Sequence, residues 1–122
     1  TALFLHDLTD RTPHKFHMAF PYGYNTSSPK AAGILCSCKK EPYYSLGIAL
    51  VDTPAGNTVR AYNAEKTLCE ILKPISHTDI QIITDAFKRY AGRKDKNIPL
   101  LSEYAHQLRV EKRLRPYLEV LL

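Results

Sequence analysis

The sequence predicts an α+β fold: an N-terminal helix and a small antiparallel sheet of about four strands, followed by a C-terminal bundle of about four helices. Two changes along the chain carry that expectation. Up to Tyr62 apolar and polar residues tend to alternate, which is the period of a strand with one buried face; beyond Asn63 the apolar residues recur at spacings of three and four, the period of a helix. Charge changes its distribution too. From Thr1 to Phe87 there are 8 Lys and Arg against 8 Asp and Glu, whereas from Lys88 onward there are 9 against 4, so the net +5 belongs to the last part of the chain.

The opening residues Ala2, Leu3, Phe4, Leu5 and Leu8 read as a helix that ends near Leu8, because Thr9-Asp10-Arg11-Thr12-Pro13 holds cap and turn residues and the residue before a proline is pushed out of the helical region. Residues 14–20 read as a strand with Phe16, Met18 and Phe20 on a buried face and Lys15, His17 and Ala19 on the other. Residues 21–29, rich in Pro, Gly, Asn and Ser, read as a loop. Residues 32–38 form a short second strand and residues 45–53 a third, which pairs across the Pro54–Asn57 turn with residues 58–62. The links look too short for helical crossovers, so the sheet is expected to be antiparallel. Asn63 is a helix cap, Leu68, Cys69, Ile71 and Leu72 form a buried stripe, and Pro74 ends that helix. Ser76 with Asp79 resembles a capping box for a second helix bearing Ile80, Ile83, Phe87, Tyr90 and Ala91, ending near Gly92. Ile98, Leu101, Tyr104, Ala105 and Leu108 mark a third stripe, and Val110, Leu114, Leu118 and Leu121 a fourth. Pro116 either kinks the fourth helix or begins a fresh turn.

A chain of 122 residues suits one domain, with residues 1–62 mainly strand and loop and residues 63–122 helical. No run of about 18 apolar residues and no signal-like segment is present, so neither a membrane span nor secretion is expected, and the cytoplasm is the expected compartment. Cys36, Cys38 and Cys69, an odd count, then fit reduced thiols. The chain opens on Thr1 with what looks like the inside of a helix, which suggests a fragment of a longer protein.

Catalytic constellations are weak. His14 and His17 fall on opposite faces of a strand, Glu103-x-x-His106 is a single half of a di-iron pattern, and Cys36-x-Cys38 lacks the paired spacing of a zinc site. Neither a G-x-S-x-G elbow nor a phosphate-binding G-x-x-x-x-G-K motif occurs. Asp52 with Glu65 and Thr67 suggests a nuclease remnant, but Lys66 adjoins Glu65 on a helix and faces away from it. The chain is thus expected not to be an enzyme and to need no cofactor or metal. Tyr22, Tyr24, Tyr43 and Tyr44, beside Lys30, Lys39 and Lys40, could stack on single-stranded bases, although tyrosine more often packs its ring and wets its hydroxyl.

The stronger signal is basic. Lys88, Arg89, Arg93, Lys94, Arg109, Lys112, Arg113 and Arg115 are expected to form a positively charged helical face that contacts nucleic-acid phosphates, with Lys96 nearby. The plain alternative is a solvated outer surface, with the apolar end Tyr117–Leu122 acting as a protein-interaction or oligomerisation module.

Several motifs in order resemble one family. Thr1-Ala2-Leu3-Phe4-Leu5-His6-Asp7-Leu8-Thr9-Asp10-Arg11-Thr12-Pro13 precedes Phe20-Pro21-x-Gly23-Tyr24-Asn25. Next come Thr53-Pro54-x-Gly56-Asn57-x-Val59-Arg60-x-Tyr62, Glu65-x-Thr67-x-Cys69, Lys88-Arg89-Tyr90, and Leu108-x-Val110-Glu111-Lys112 through Tyr117-Leu118-Glu119-Val120-Leu121-Leu122. Together they resemble the C-terminal domain of AbiEi-type antitoxins from bacterial type IV toxin-antitoxin, abortive-infection systems that confer phage resistance. The resemblance spans nearly the whole chain. It implies a transcriptional autoregulator whose N-terminal winged helix-turn-helix, absent from this chain, binds promoter DNA. It also implies a C-terminal domain that neutralises a nucleotidyltransferase-like toxin without a tight complex.

Overall fold

Asn63 turns the chain from strand to helix, as its capping chemistry predicts: its side-chain oxygen accepts the Lys66 amide at 2.8 Å. The computed structural model describes residues 2–6, 8, 9, 17–41, 43–53 and 56–121. Along the chain these form α1 (Ala2–Leu5), β1 (His17–Pro21), α2 (Ser27–Ala31), β2 (Leu35–Lys39), β3 (Ile48–Asp52) and β4 (Thr58–Tyr62). There follow α3 (Ala64–Leu72), a 3-10 turn (Pro74–Ser76), α4 (Ile80–Ala91), α5 (Ile98–Gln107) and α6 (Glu111–Leu121). The class is α+β with a helical C-terminal region. Part of the first expected strand, His14 with its His17 pairing, the turn before Pro13, Pro54 and Ala55 of the hairpin turn, and Leu122 lie outside the described residues.

The expected single antiparallel sheet is instead two separate pairs. β3 and β4 are antiparallel, as the hairpin reading expects, but with Asp52 opposite Thr58 and Val51 opposite Val59, one residue away from pairing across a Pro54–Asn57 turn, because the Thr53 amide already bonds the Asn57 carbonyl at 2.7 Å. β1 and β2 are parallel, with His17 opposite Leu35 and Pro21 opposite Lys39. A parallel pair needs a crossover, and residues 22–34 contain one that composition conceals. Asn25 accepts the Ser27 amide at 3.0 Å and the Ser27 hydroxyl at 2.7 Å, starting α2, and Pro29 sits in the first turn where its missing N–H costs nothing.

The helical stripes close on one another, α3 against α5 and α4 against α6. Apart from Leu8, the buried apolar side chains among the described residues belong to α3–α6 and their connections, with Leu68, Cys69, Phe87, Tyr90, Leu101 and Leu114 at the centre. Each such side chain contributes about 1.5–3 kcal/mol on burial. The strands gain little of this: Met18 is 45 % exposed and Leu50 74 %. Their alternation is real, but the strand faces are only partly covered: Phe20, Ile48, Val51 and Tyr62 are half-buried rather than buried.

Two local expectations also shift. Asp79, not Ser76, caps α4 by accepting the Gln81 amide at 2.7 Å, because His77, in a left-handed conformation (φ 50°), turns the chain after the 3-10 turn. Ser76 instead donates to the Lys73 and Ile71 carbonyls at 2.8 and 3.0 Å. Pro116 stands inside α6 without ending it. It removes the N–H that would reach Lys112, yet the helix continues because Leu114, Tyr117 and Leu118 hold its inner face on the core, Tyr117 stacked on Phe87 with centroids 4.5 Å apart.

What ties the strands to the helices is polar. The Lys66 side chain has no exposed surface, and its ammonium donates to the Tyr43 carbonyl at 2.8 Å and the Leu46 carbonyl at 3.1 Å. It lies 3.3 Å from Glu70 Oε1 and 3.8 Å from the centroid of the Tyr62 ring. All three N–H groups thus have an acceptor, which a buried ammonium requires. Burial still pushes its pKa down to about 8, against the opposing pull of Glu70. Glu70 in turn holds Lys39 from β2 at 2.8 Å and Lys73 at 3.3 Å. Burial alone would raise its pKa, but the Lys39 hydrogen bond and the surrounding ammonium charges hold it below the ordinary carboxylate value. Gly47 makes the approach possible, since a Cβ there would stand 2.7 Å from Lys66 Cβ, at a φ of +78°.

Gly47→Ala is expected to cost about 2 kcal/mol or more, from a left-handed alanine and the clash with Lys66; urea denaturation measures it, and unchanged stability contradicts the packing. Below pH 8 Lys66 is charged in both folded and unfolded chains, whereas between about 8 and 10.5 the folded chain binds fewer protons and is relatively stabilised as pH rises. The stability difference between wild type and Lys66→Met should therefore move in favour of wild type across that window, and a flat difference would show that the buried amine is not perturbed.

Candidate nucleic-acid interface

The turn between α5 and α6 sets the geometry of the basic residues that follow. Asn97 caps α5 by accepting the Leu100 amide at 3.1 Å, and Leu101, Tyr104 and Ala105 bury the inner face. At the far end the Arg109 amide bonds the His106 carbonyl at 3.2 Å and the Val110 amide bonds the Ala105 carbonyl at 2.9 Å. This is a Schellman termination, in which the left-handed position normally belongs to glycine. Here that position is Arg109, at φ 60°. Buried Val110 and Leu114 then seat α6 on the core, so Lys112, Arg113 and Arg115 are left exposed.

Arg109, Lys112 and Arg113 meet around one open recess of about 700 Å³, together with His106 and Glu111. Glu111 lies 2.9 Å from His106 Nδ1. Among the described residues no ion pair engages the side chains of Arg109, Lys112, Arg113 or Arg115. Several guanidinium and ammonium groups sharing one exposed corner can take an oligoanion, above all a phosphate backbone, and release its counterions.

The four expected basic residues of the α4 region are not gathered with them in that recess. Lys88 lines a separate recess with Ile80, Gln81, Thr84 and Asp85. Arg89 reaches Asp85 at 3.0 Å. Arg93 forks onto Asp95 at 2.9 and 2.8 Å and donates to the His6 carbonyl at 3.0 Å, while His6 Nε2 hydrogen-bonds the Tyr62 carbonyl at 2.6 Å. The hydrogen bond that Arg93 donates to the Asp95 carboxylate raises the Arg93 pKa, and that guanidinium serves as a clamp between α1 and the end of α4. Lys94 is exposed, and Lys96 donates to the Ala91 carbonyl at 2.9 Å.

The other residues weighed for chemistry have structural partners or stand apart. Glu65 accepts the Tyr90 hydroxyl at 2.7 Å, and that hydroxyl accepts the Asn97 amide at 2.7 Å. Burial and the Glu65 carboxylate raise the Tyr90 phenol above its ordinary value. Asp52 is exposed at the hairpin. Cys69 is buried with its thiol toward the Leu101 carbonyl at 3.7 Å, and burial pushes its pKa up to about 12; Cys36 is half-buried and Cys38 exposed. The Lys66–Glu70 cluster was not legible as a unit. Its only local signal is the four-residue spacing of Lys66 and Glu70, since Lys39, Tyr43 and Leu46 come from distant chain. No protein-family model matches the chain, and no curated protein is similar enough to match it.

Arginine at a glycine position is a stability cost located within the cationic corner. Arg109→Gly is expected to stabilise the chain by about 0.5–1 kcal/mol in urea denaturation; a loss of stability would show that the Arg109 side chain supports the fold.

Proposed function

We propose that this chain is the C-terminal domain of an AbiEi-type antitoxin, a non-catalytic part of a transcriptional autoregulator from a phage-resistance system. In this reading the α5–α6 corner touches phosphates, either of promoter DNA held by the whole antitoxin or of the nucleic acid handled by a nucleotidyltransferase-like toxin. The observation that carries it is the meeting of Arg109, Lys112 and Arg113 around one open recess, with Arg115 exposed on the same helix. The ordered motifs described above supply the family. Lys88, Arg89 and Lys94 remain exposed and can extend the binding surface, whereas Arg93 belongs to the fold. The alternative of a docking module built on the C-terminal apolar residues is weakened, because Tyr117 and Leu118 pack on the chain's own core.

Replacing Arg109, Lys112, Arg113 and Arg115 together by Glu should lower affinity for duplex DNA and flatten the dependence of log K on log salt by up to about 3 to 4, roughly 0.9 for each phosphate no longer neutralised. The same replacement should impair rescue of growth from a neighbouring nucleotidyltransferase-like toxin. Unchanged slope together with unchanged rescue would remove the reading.

A further inference from the structure

The two tyrosines flanking Gly23 stand at the end of the β1–β2 pair with open ring faces. Pro21, the last residue of β1, opens a tight turn closed by the Tyr24 amide on the Pro21 carbonyl at 3.0 Å, with Gly23 at φ +87°. A positive φ at that position marks a type II turn, which glycine makes without strain. The Tyr22 amide is tied to the Lys39 carbonyl at 2.9 Å, so the turn is anchored on β2 as well. Tyr24 is backed by Phe20, their centroids 4.9 Å apart and their planes 13° from parallel, yet it is 53 % exposed. Tyr22 is 71 % exposed, and the Lys40 ammonium lies 5.0 Å from its ring centroid.

A tyrosine at a rim normally buries its ring and wets its hydroxyl. These two leave more than half of their surface in solvent. Of the adjoining cations, Lys39 is committed to Glu70, whereas Lys40 is exposed. The neighbouring carboxylate, Glu41, is turned back onto the Ser45 amide and hydroxyl. The surface therefore offers flat aromatic faces beside positive charge. An acidic peptide would satisfy the charge and leave the rings unused, and a duplex has its base faces already stacked. Unpaired bases on a phosphate backbone use both.

We propose that Tyr22, Tyr24 and Lys40 form a stacking platform for single-stranded nucleic acid. Bases lie on the two tyrosine rings, the Phe20 ring supports Tyr24 from behind, and Lys40 meets the adjoining phosphate. The platform uses none of the residues of the α5–α6 corner and does not rest on the function proposed above.

Fluorescence anisotropy of a labelled oligothymidylate of about 12 nucleotides tests it. Tyr22→Ala with Tyr24→Ala should weaken binding at least about tenfold, while the double Phe variant, which keeps the rings, should bind like wild type. An oligomer of the same length lacking bases should bind wild type as weakly as the oligothymidylate binds the double Ala variant. Lys40→Gln should flatten the salt dependence by about 0.7. Thermal melting of the Tyr22→Ala, Lys40→Gln and double Phe variants should match wild type, whereas Tyr24→Ala gives up the ring contact with Phe20 and should lower it only slightly. A chain carrying the four Glu substitutions at the α5–α6 corner should still lose affinity when the rings are removed, which keeps the two surfaces separable. Failure of wild type to bind oligothymidylate, equal binding by the double Ala variant, or equal binding of the base-free oligomer would each overturn the proposal.

Discussion

A lysine ammonium with no exposed surface holds the two halves of this molecule together. The helical half is self-sufficient in apolar packing, whereas both strand pairs leave large side chains such as Met18 and Leu50 in solvent. Hydrophobic burial therefore supplies only part of what keeps the strands in place, with Leu46 packed against the core and Ile48 and Val51 half-buried. One turn of α3 adds the polar part: Lys66 takes the carbonyls of Tyr43 and Leu46 and lies over the Tyr62 ring, and Glu70 takes Lys39 from β2. Together they reach β2 through Lys39, the β2–β3 connection through Tyr43 and Leu46, and β4 through Tyr62.

Such an arrangement is specific rather than cheap. Removing an ammonium from water is tolerated only when every donor is met, and removing one partner from a buried pair costs about 3–5 kcal/mol because it strands the other. The geometry accordingly leaves no slack. Gly47 has no room for a methyl group, and Glu70 is shared among three lysines.

Positive charge in the helical half divides by what surrounds it, not by where it falls in the chain. Arg93 and Arg89 resemble Arg109 and Arg113 in sequence, but the first two find acceptors near them, while the turn after α5 and the seating of Leu114 direct Arg109, Lys112 and Arg113 to one open corner. That the left-handed position of this turn is an arginine sets surface chemistry against local stability at a single residue.

The sequence by itself determined what short-range forces decide: the switch from strand to helix at Asn63, the β3–β4 hairpin, most of the buried stripes of α3 to α6 and the excess of cations after residue 87, although Ile80, expected on the buried face of α4, is 63 % exposed. Spacing, capping and turn chemistry act within a few residues, so they can be read along the chain. Only the tertiary structure decided that β1 and β2 run parallel around a helix hidden in a Ser- and Pro-rich stretch, that strand side chains such as Met18 and Leu50 stay in solvent, and which lysines and arginines gather at an open corner. Those outcomes depend on partners far apart in the chain. Lys66 is buried because Tyr43, Leu46 and Tyr62 arrive around it, whereas Tyr22, on the turn after β1, stays 71 % exposed with the Lys40 ammonium over its ring.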